Sequence, residues 1–476
     1  MAIDTSETRS PGWWLQKLYK KLEQRAPIYQ ERWDRYQGKN PVPNNTANPE
    51  AEEAYKKFRR LAKTNFSELI VESRAQRMQP LGVRTGATDT KADDETDPLG
   101  REIYDNNGLA VELPDTFRKA LAMGDAFGMV GMEDGEVVIT GEDPRQVVSI
   151  HDPVRNRIIR ASAKFFHDDD EDKDYGYLYL DGKRYVASRA RRATKNKMVR
   201  FSAAAWEWDE ERGGSDGDDI GGGVLQPVVR FRNKLEVPEF DGHIDVMDRI
   251  DQQVFQRLVI AAVQAFRQRA ALNTDDTEID EDGEEHSIDW ESILTSDPGV
   301  FWRIPGEKAT IWESSSTDIT PLVAAEISDR KTLASVSSTP MHLFFPDAAS
   351  GSAEGAALMR EQLVFTVEDR MLRFGESIKD MFSIAFKLSG DEERAKRSNI
   401  DVLWRPAERR SLAERADAWS KLEGLPLRTK LIEIMGFTQT EAARIMAERS
   451  EDQLNDVLAV MTQRPDTVTD PLPAAA

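Results

Sequence analysis

Residues 245–270 read DVMDRIDQQVFQRLVIAAVQAFRQRA, and their apolar side chains recur with the 3.6-residue period of an α-helix. One apolar stripe comprises Ile244, Met247, Ile250, Val254, Leu258, Ala261 and Ala265. A second set widens it onto an adjoining face and comprises Phe255, Val259, Ala262 and Phe266. Packing against one partner helix requires a single stripe. Two adjoining faces favour packing against copies of the same chain, and a helix in a monomeric core is the ordinary alternative.

Further helices follow this segment. An acidic stretch at 275–286 and a compact segment at 288–312 come first. A second helix then fits Pro321–Ser338 and ends before Pro340, because proline interrupts a helix. The longest predicted helix spans Ala353–Leu388. Its apolar stripe comprises Leu363, Val367, Met371, Phe374, Ile378, Phe382 and Ala385.

The chain before residue 240 combines helices with an antiparallel sheet. Its period-2 runs are Glu136–Thr140, Gln146–Ile150, Arg157–Phe166, Tyr175–Leu180, Arg184–Ala187 and Lys197–Phe201. Asp134-Gly135 and Asp181-Gly182 are strong hairpin turns. An acidic loop at 167–174 interrupts the sheet, and a glycine-rich stretch at 213–223 predicts a flexible linker. The pattern as a whole is α+β and mostly helical.

Composition restricts the function. Acidic residues outnumber basic ones, 85 to 64, which argues against a general basic surface for gripping nucleic acid. An acidic channel would still let DNA pass, because a strongly basic one would hold its phosphates; solubility is the other explanation of the acidity. The absence of cysteine excludes disulfides and thiolate metal sites. The longest apolar stretch, Leu258–Phe266, is too short to span a membrane, and the polar start of the chain predicts no classical secretion.

The matches to catalytic and metal-binding motifs are imperfect. Gly176–Arg184 has one residue too many for a P-loop and carries Arg in place of the hydroxyl residue that holds Mg²⁺. Gly213–Gly217 matches GxSxG but lies in the glycine-rich stretch. Glu278–Asp289 departs from an EF-hand at its first and last ligands, and the carboxylates of Asp168–Asp172 stand in a row on a loop. We therefore predict no enzyme activity and no catalytic, cofactor-binding or metal-binding residue.

Six segments of the sequence resemble the portal proteins of siphophages, especially those that infect actinobacteria, and they occur in the family's order. They are Leu15–Gly38, Asn65–Met78, PVVRFRNK at 227–234, residues 245–270, SSTP at 337–340 and VEDRMLRFGESIKDMF at 367–382. None of the six is a catalytic signature, so the specificity of the resemblance lies in their number and order.

The resemblance implies a portal fold with wing, stem, clip and crown, including a small antiparallel β-sheet in the wing. The implied parts are a wing at 1–240 with its sheet at 127–201, a first stem helix at 241–271, a clip at 272–319, a second stem helix at 320–339, a tunnel loop at 340–352, a long wing helix at 353–389, a helical crown at 390–464 and a disordered tail at 465–476.

The resemblance also implies a function. Portals of this kind are rings, typically of twelve subunits, at one capsid vertex of the virion, and they assemble in the cytoplasm of the host bacterium. The ring forms the channel for DNA packaging and ejection. The implied partners are further copies of the chain, the double-stranded DNA in the channel, the terminase large subunit, a head-completion (adaptor) protein, and the major capsid and scaffolding proteins, with no membrane. A metal-dependent nucleic-acid enzyme and a minor capsid or scaffolding protein without a channel are the alternatives.

Two groups of residues are candidates for the channel. The first follows Pro340 on the predicted tunnel loop and comprises Met341, His342, Leu343, Phe344 and Phe345. These side chains either pack onto the adjacent subunit or line the narrowest part of the channel. The second group lies along or at the end of the first stem helix and comprises Arg257, Arg267 and Arg269. They either pair with acids of the neighbouring subunit or face the lumen.

Overall fold

The fold combines long helices with small antiparallel sheets. The computed structural model describes residues 3–39, 49–86, 96–190, 201–265, 269–274, 277–279, 285–287, 310–313, 315–345, 353–408, 412–422, 424–437 and 439–462. About 52% of it is helical and 21% is strand, so the predicted α+β, mostly helical class is confirmed.

Twelve helices are described, and a side-chain cap fixes the start of two of them. They are α1 (Pro11–Tyr36), α2 (Pro49–Ala62), α3 (Phe66–Ala75), α4 (Pro98–Asn106), α5 (Leu109–Met123), α6 (Ile244–Ala265), α7 (Thr320–Val336), α8 (Met341–Phe344), α9 (Ala353–Leu388), α10 (Leu412–Lys421), α11 (Leu427–Thr429) and α12 (Gln439–Thr462). The side chain of Ser10 accepts a hydrogen bond from the backbone N–H of Trp13 at 3.2 Å and so fixes the start of α1. Asp97 caps α4 in the same way, through the N–H of Gly100 at 3.0 Å.

The strands pair in antiparallel fashion throughout the described ranges. They are β1 (Pro80–Thr85), β2 (Asp125–Glu133), β3 (Glu136–Glu142), β4 (Val147–His151), β5 (Ile159–Asp168), β6 (Lys173–Leu180), β7 (Lys183–Ala190), β8 (Glu207–Trp208), β9 (Asp218–Asp219), β10 (Val228–Arg232), β11 (Arg269–Leu272), β12 (Thr277–Ile279), β13 (Glu285–Ser287), β14 (Thr310–Glu313) and β15 (Ile400–Trp404). The largest sheet has the order β4-β5-β6-β7-β8, with β9 also on β7. A second sheet has the order β10-β2-β3, and the pairs β1-β15, β11-β14 and β12-β13 complete the set.

Both predicted hairpin turns are confirmed. Asp134 and Gly135 have φ values of 51° and 86° between β2 and β3, and Asp181 and Gly182 have φ values of 50° and 83° between β6 and β7. Two consecutive residues with positive φ define the type I′ turn, whose twist matches that of the flanking strands. Of the predicted strands, Lys197–Phe201 differs: residues 197–200 lie outside the described ranges, and Phe201 is not in a strand.

Two loop predictions are wrong. The acidic stretch 167–174 does not interrupt the sheet, because β5 continues to Asp168 and β6 begins at Lys173, which leaves 169–172 as a tight hairpin end. The stretch 213–223 is not a free linker, because β9 within it pairs with β7. Its glycines at 213, 214, 217, 221, 222 and 223 all have positive φ, so they serve tight turns rather than flexibility.

Helix α9 forms the centre of the main core. All seven residues of its predicted apolar stripe, from Leu363 to Ala385, are buried. Phe374 stacks on Phe117 of α5 with ring centroids 5.2 Å apart. Phe231 of β10 contacts the ring of Phe374 edge-on, with centroids 5.9 Å apart. A second core lies where α1 packs against the largest sheet and Trp206.

Helix α6 differs from its prediction at the end and in its partners. The sequence predicts a helix to residue 271, whereas the described helix spans Ile244–Ala265, 22 residues and about 33 Å at roughly 1.5 Å per residue. Residues 269–272 instead form β11, which pairs with β14. Its two apolar faces pack against α7 and α2 of the same chain, with Tyr55 and Phe255 rings 5.9 Å apart. The wide apolar surface is therefore not itself evidence for a second copy.

Candidate functional site

Helices α6 and α7 form an antiparallel pair joined by a ladder of ion pairs. Arg249 of α6 binds Asp329 of α7 through two hydrogen bonds of 2.8 and 2.6 Å. Eight residues further along α6, Arg257 donates to Glu326 at 2.6 Å. Arg330 contacts the same carboxylate. Since Glu326 is only 3% exposed, these guanidinium groups supply the charge that a buried carboxylate requires.

The three candidate arginines of the predicted first stem helix do not share one environment. Arg257 pairs within its own chain, with Glu326, whereas both sequence alternatives placed its contacts outside the chain. Arg267 lies outside the described residues. Arg269 is in β11 opposite Glu313 and not along or at the end of the helix, where the sequence predicts it.

A buried charge cluster contacts the chain at the C-terminal end of α7. Glu239, in the segment after β10, contacts Arg74 of α3 at 3.2 Å and Arg370 of α9 at 2.7 Å. The three side chains are 4%, 2% and 9% exposed, in that order. Burial alone would raise the pKa of Glu239, but the hydrogen bond from Arg370 and both positive charges hold that pKa below its usual value. The carboxylate is therefore ionised at neutral pH.

Arg74 also fixes the junction between α7 and α8. Its guanidinium donates to the carbonyl oxygen of Ser337 and, at 2.6 Å, to that of Ile70. The hydroxyl of Thr339 lies 3.3 Å from the same group. The SSTP segment at 337–340 is thus attached to α3 and α9 through one buried cluster, which sets where α8 begins.

Four of the five candidate residues after Pro340 form the short helix α8, Met341–Phe344, and Phe345 follows it in an extended conformation. Phe344 is 6% exposed and its ring lies 5.1 Å from that of Phe66 in α3. Met341 and Phe345 pack against the same core. Only His342 and Leu343 are exposed, Leu343 by 38%. In the sequence, all five residues form one group. In the fold, three of them pack against the core and two are exposed to solvent.

A second charge cluster, which sequence reasoning missed, lies between α1 and the sheet β10-β2-β3. Asp125 of β2 accepts hydrogen bonds from Tyr29 and from two nitrogens of Arg230, each at 2.8 Å. Glu236 contacts Arg230 at 2.9 Å. Tyr29 and Arg230 are far apart in sequence, and no local pattern marks them as partners.

The motif matches rejected from the sequence stand on ordinary structural elements. Gly176–Arg184 is the β6–β7 hairpin, and Gly213–Gly217 follows a short 3₁₀ turn instead of joining a strand to a helix. Part of 278–289 lies outside the described residues. Among the residues that are described, no three His, Asp or Glu side chains are grouped so that they could hold a metal ion. No helix in those ranges is long and apolar enough to cross a membrane.

Comparison with known proteins gives one match that covers most of the chain. The family model described as "Phage portal protein, SPP1 Gp6-like" matches residues 15–454. This range contains the α6–α7 pair, α8, α9 and both charge clusters. No curated protein matches the chain.

Proposed function

The chain belongs to the phage portal protein family of the SPP1 Gp6-like type, and on this premise we propose that it assembles into a closed ring at one capsid vertex. The ring, expected to be a dodecamer, forms the channel for packaging and ejection of viral DNA. The match over residues 15–454 is the observation that carries this proposal. Cyclic assembly suits it, because one pair of complementary surfaces repeated around an axis encloses a channel.

The proposal assigns each part of the fold a place in the ring. We propose that the α6–α7 pair forms the stem beside the DNA, and that the strands β11 to β14 belong to the clip. The wing comprises residues 1–240 and α9, and the crown residues 390–464. Terminase, the adaptor protein, and the capsid and scaffolding proteins are the proposed partners at the vertex.

Portal proteins are a structural family, and we propose no catalytic role for this chain. The enzyme alternative relied on the acids at 168–172 or at 280–289, and part of the second set lies outside the described residues. Asp168 uses its carboxylate to accept hydrogen bonds from the backbone of Asp170 and Glu171, and Glu171 pairs with Arg212. These are structural contacts of a turn. Cleavage of DNA by the purified protein in Mg²⁺ or Mn²⁺ would contradict this assignment.

Purified protein is expected to form closed rings with a central hole wide enough for a DNA duplex. Negative-stain electron microscopy tests the ring directly, and sedimentation velocity at micromolar concentrations gives its mass. A population of only monomers and dimers across that range would contradict the portal function.

The exposed face of α9 is expected to contribute to ring contacts. Phe365 and Leu372 are seven residues apart on one face and are 61% and 74% exposed. Replacing both by Asp should leave thermal unfolding of the subunit nearly unchanged, since neither side chain is in the core. Ring assembly should require at least about tenfold more protein, because charges then replace apolar contacts.

A matched control uses an exposed apolar residue on another helix. Val111 of α5 is 65% exposed, and Val111→Asp should leave both assembly and unfolding as in the wild type. If the variant with Phe365→Asp and Leu372→Asp formed rings at the same protein concentration as the wild type, this face of α9 would not be part of the subunit interface.

A further inference from the structure

A basic cleft lies between the largest sheet and α9. It encloses about 740 Å³ between the connection from β4 to β5, the segment 223–226 and the C-terminal half of α9. A cavity of this volume falls in the range of about 300–1,000 Å³ that binding sites usually occupy.

The lining of this cleft has an excess of positive charge. Its cationic side chains are Arg157, Arg230, Arg232, Arg373 and Lys387. The carboxylates that line it are those of Glu376 and Asp380, which pair with Arg157, while Arg373 pairs with Asp369. Asp125 and Glu236 lie next to the cleft and compensate Arg230. The excess is notable in a chain whose formal net charge is -21.

The positive charges of Arg230 and of Lys21, which is not itself a lining residue, act on the neutral side chain of His151 in the wall of the cleft. Burial and the charges of Arg230 and Lys21 lower the pKa of His151 to about 4. Burial together with Arg25 and Arg230 lowers the pKa of Lys21 to about 8. An anionic group bound here would gain from several cations at once, so the cleft favours an acidic occupant.

The chain itself carries an acidic hairpin end of matching charge. This acidic tip comprises Asp168–Asp172, between β5 and β6. Asp169 and Asp172 expose 90% and 69% of their side chains. The bond from Arg212 to Glu171, at 2.6 Å, and the backbone bonds to Asp168 fix the shape of the tip. It is therefore an ordered turn whose exposed carboxylates project into solvent.

The cleft and the tip lie at opposite ends of one strand. Ile159, the first residue of β5, lines the basic cleft, and Asp168, its last, begins the acidic tip. Ten extended residues separate the two ends by about 30 Å, at roughly 3.3 Å per residue. A tip cannot fold back into its own cleft across a rigid strand, but it can reach the cleft of another subunit.

We propose that the acidic tip of each subunit binds in the basic cleft of the next subunit and that this contact fixes the direction of assembly. The inference rests on the proposed ring. Two different, complementary surfaces at opposite ends of one strand can form a heterologous contact, which generates a ring when its rotation closes. The charges steer the encounter and disfavour subunits that meet tip to tip or cleft to cleft.

The test uses two charge-reversal variants of the full chain. The tip variant carries Asp169→Lys and Asp170→Lys, and the cleft variant carries Arg232→Glu and Lys387→Glu. All four positions are exposed; the substitutions break the contacts of Arg232 with Glu236 and of Asp169 with His167 and keep the buried pair of Arg230 with Asp125. Ring assembly is followed by mass photometry over a range of protein concentrations, at about 0.05 M and about 0.5 M salt.

Each variant alone should need at least about tenfold more protein for half-maximal assembly at low salt, because like charges face each other at every contact. An equimolar mixture of the two should restore rings. In the mixture, the two variants alternate around the ring. The basic tip of the tip variant then binds the acidic cleft of the cleft variant, and the acidic tip of the cleft variant binds the basic cleft of the tip variant. The chain with all four substitutions should assemble for the same reason, and higher salt should reduce every difference.

The control variant carries Glu133→Lys and Glu136→Lys, which make the same charge change at the end of the β2–β3 hairpin, and it should assemble like the wild type. Circular dichroism verifies that each variant is folded. Rings formed by the tip or cleft variant at wild-type concentrations would overturn the tip–cleft contact, as would a folded mixture that stays unassembled. Wild-type protein that forms no ring would instead contradict the proposed function.

Discussion

Replacing Glu239 by Gln is expected to lower the free energy of unfolding by about 3–5 kcal/mol, the usual cost of breaking a buried ion pair. The amide keeps the shape of the side chain but removes the charge that Arg74 and Arg370 share. Two guanidinium groups, 2% and 9% exposed, are then left buried against each other. Urea denaturation at fixed protein concentration measures the loss.

The pH dependence of this loss follows from the sign of the pKa shift. The pKa of Glu239 is lowered in the folded protein. The contribution of its charge to the free energy of unfolding is therefore fully present above the pKa of a glutamate in the unfolded chain, about 4.3. The difference between wild type and Glu239→Gln should therefore stay constant from about pH 8 to about pH 5. It should shrink below about pH 4, as the wild-type carboxylate becomes protonated.

Two further variants compare the buried cluster with an exposed ion pair and with the loss of one of its two arginines. Glu448→Gln affects an exposed pair with Arg444, at i and i+4, and should cost less than about 0.5 kcal/mol. Arg74→Met should cost less than Glu239→Gln, because Arg370 still neutralises the carboxylate. A Glu239→Gln protein as stable as Glu448→Gln would show that the cluster does not hold the junction of α7 and α8.

Much of the fold follows from local patterns. The apolar stripe of α9 keeps one helical period from Leu363 to Ala385, and its burial forms the centre of the main core, so periodicity alone predicts it. The Asp-Gly turns were equally clear, because two positive φ values in succession leave few other residue choices. Family membership depended on the order of six segments, and the match over residues 15–454 agrees with it.

The remaining features depend on contacts between distant residues. Strand β1 pairs with β15, more than 300 residues away, and neither strand has a local partner. The segment after Ala265 carries on a helical pattern, but pairing with β14 draws residues 269–272 into a strand. The charge cluster of Glu239 was missed because isolated Arg and Glu residues in sequence usually indicate a solvated surface. The glycines at 213–223 were interpreted as flexible, whereas their positive φ values serve tight turns.

Phe344→Ala is expected to destabilise the subunit by about 3 kcal/mol, while Leu343→Ala should cost less than about 1 kcal/mol. The reason is that Phe344 is 6% exposed and packs on Phe66, whereas Leu343 is 38% exposed. Urea denaturation of the two variants measures this difference. The anchor and the exposed pair of α8 are thereby assigned different roles.

Positions 342, 343 and 344 test whether α8 borders the channel. If it does, Leu343→Ala and His342→Ala should assemble rings normally yet reduce the length of packaged DNA or its retention in the capsid, because only these side chains face outward. Phe344→Ala should instead lose soluble rings along with stability, which would report on folding and not on DNA. Normal packaging by both Leu343→Ala and His342→Ala would exclude this segment from the channel wall. A Phe344→Ala subunit as stable as the wild type would contradict the anchoring contact with α3, and with it the reason for separating these residues.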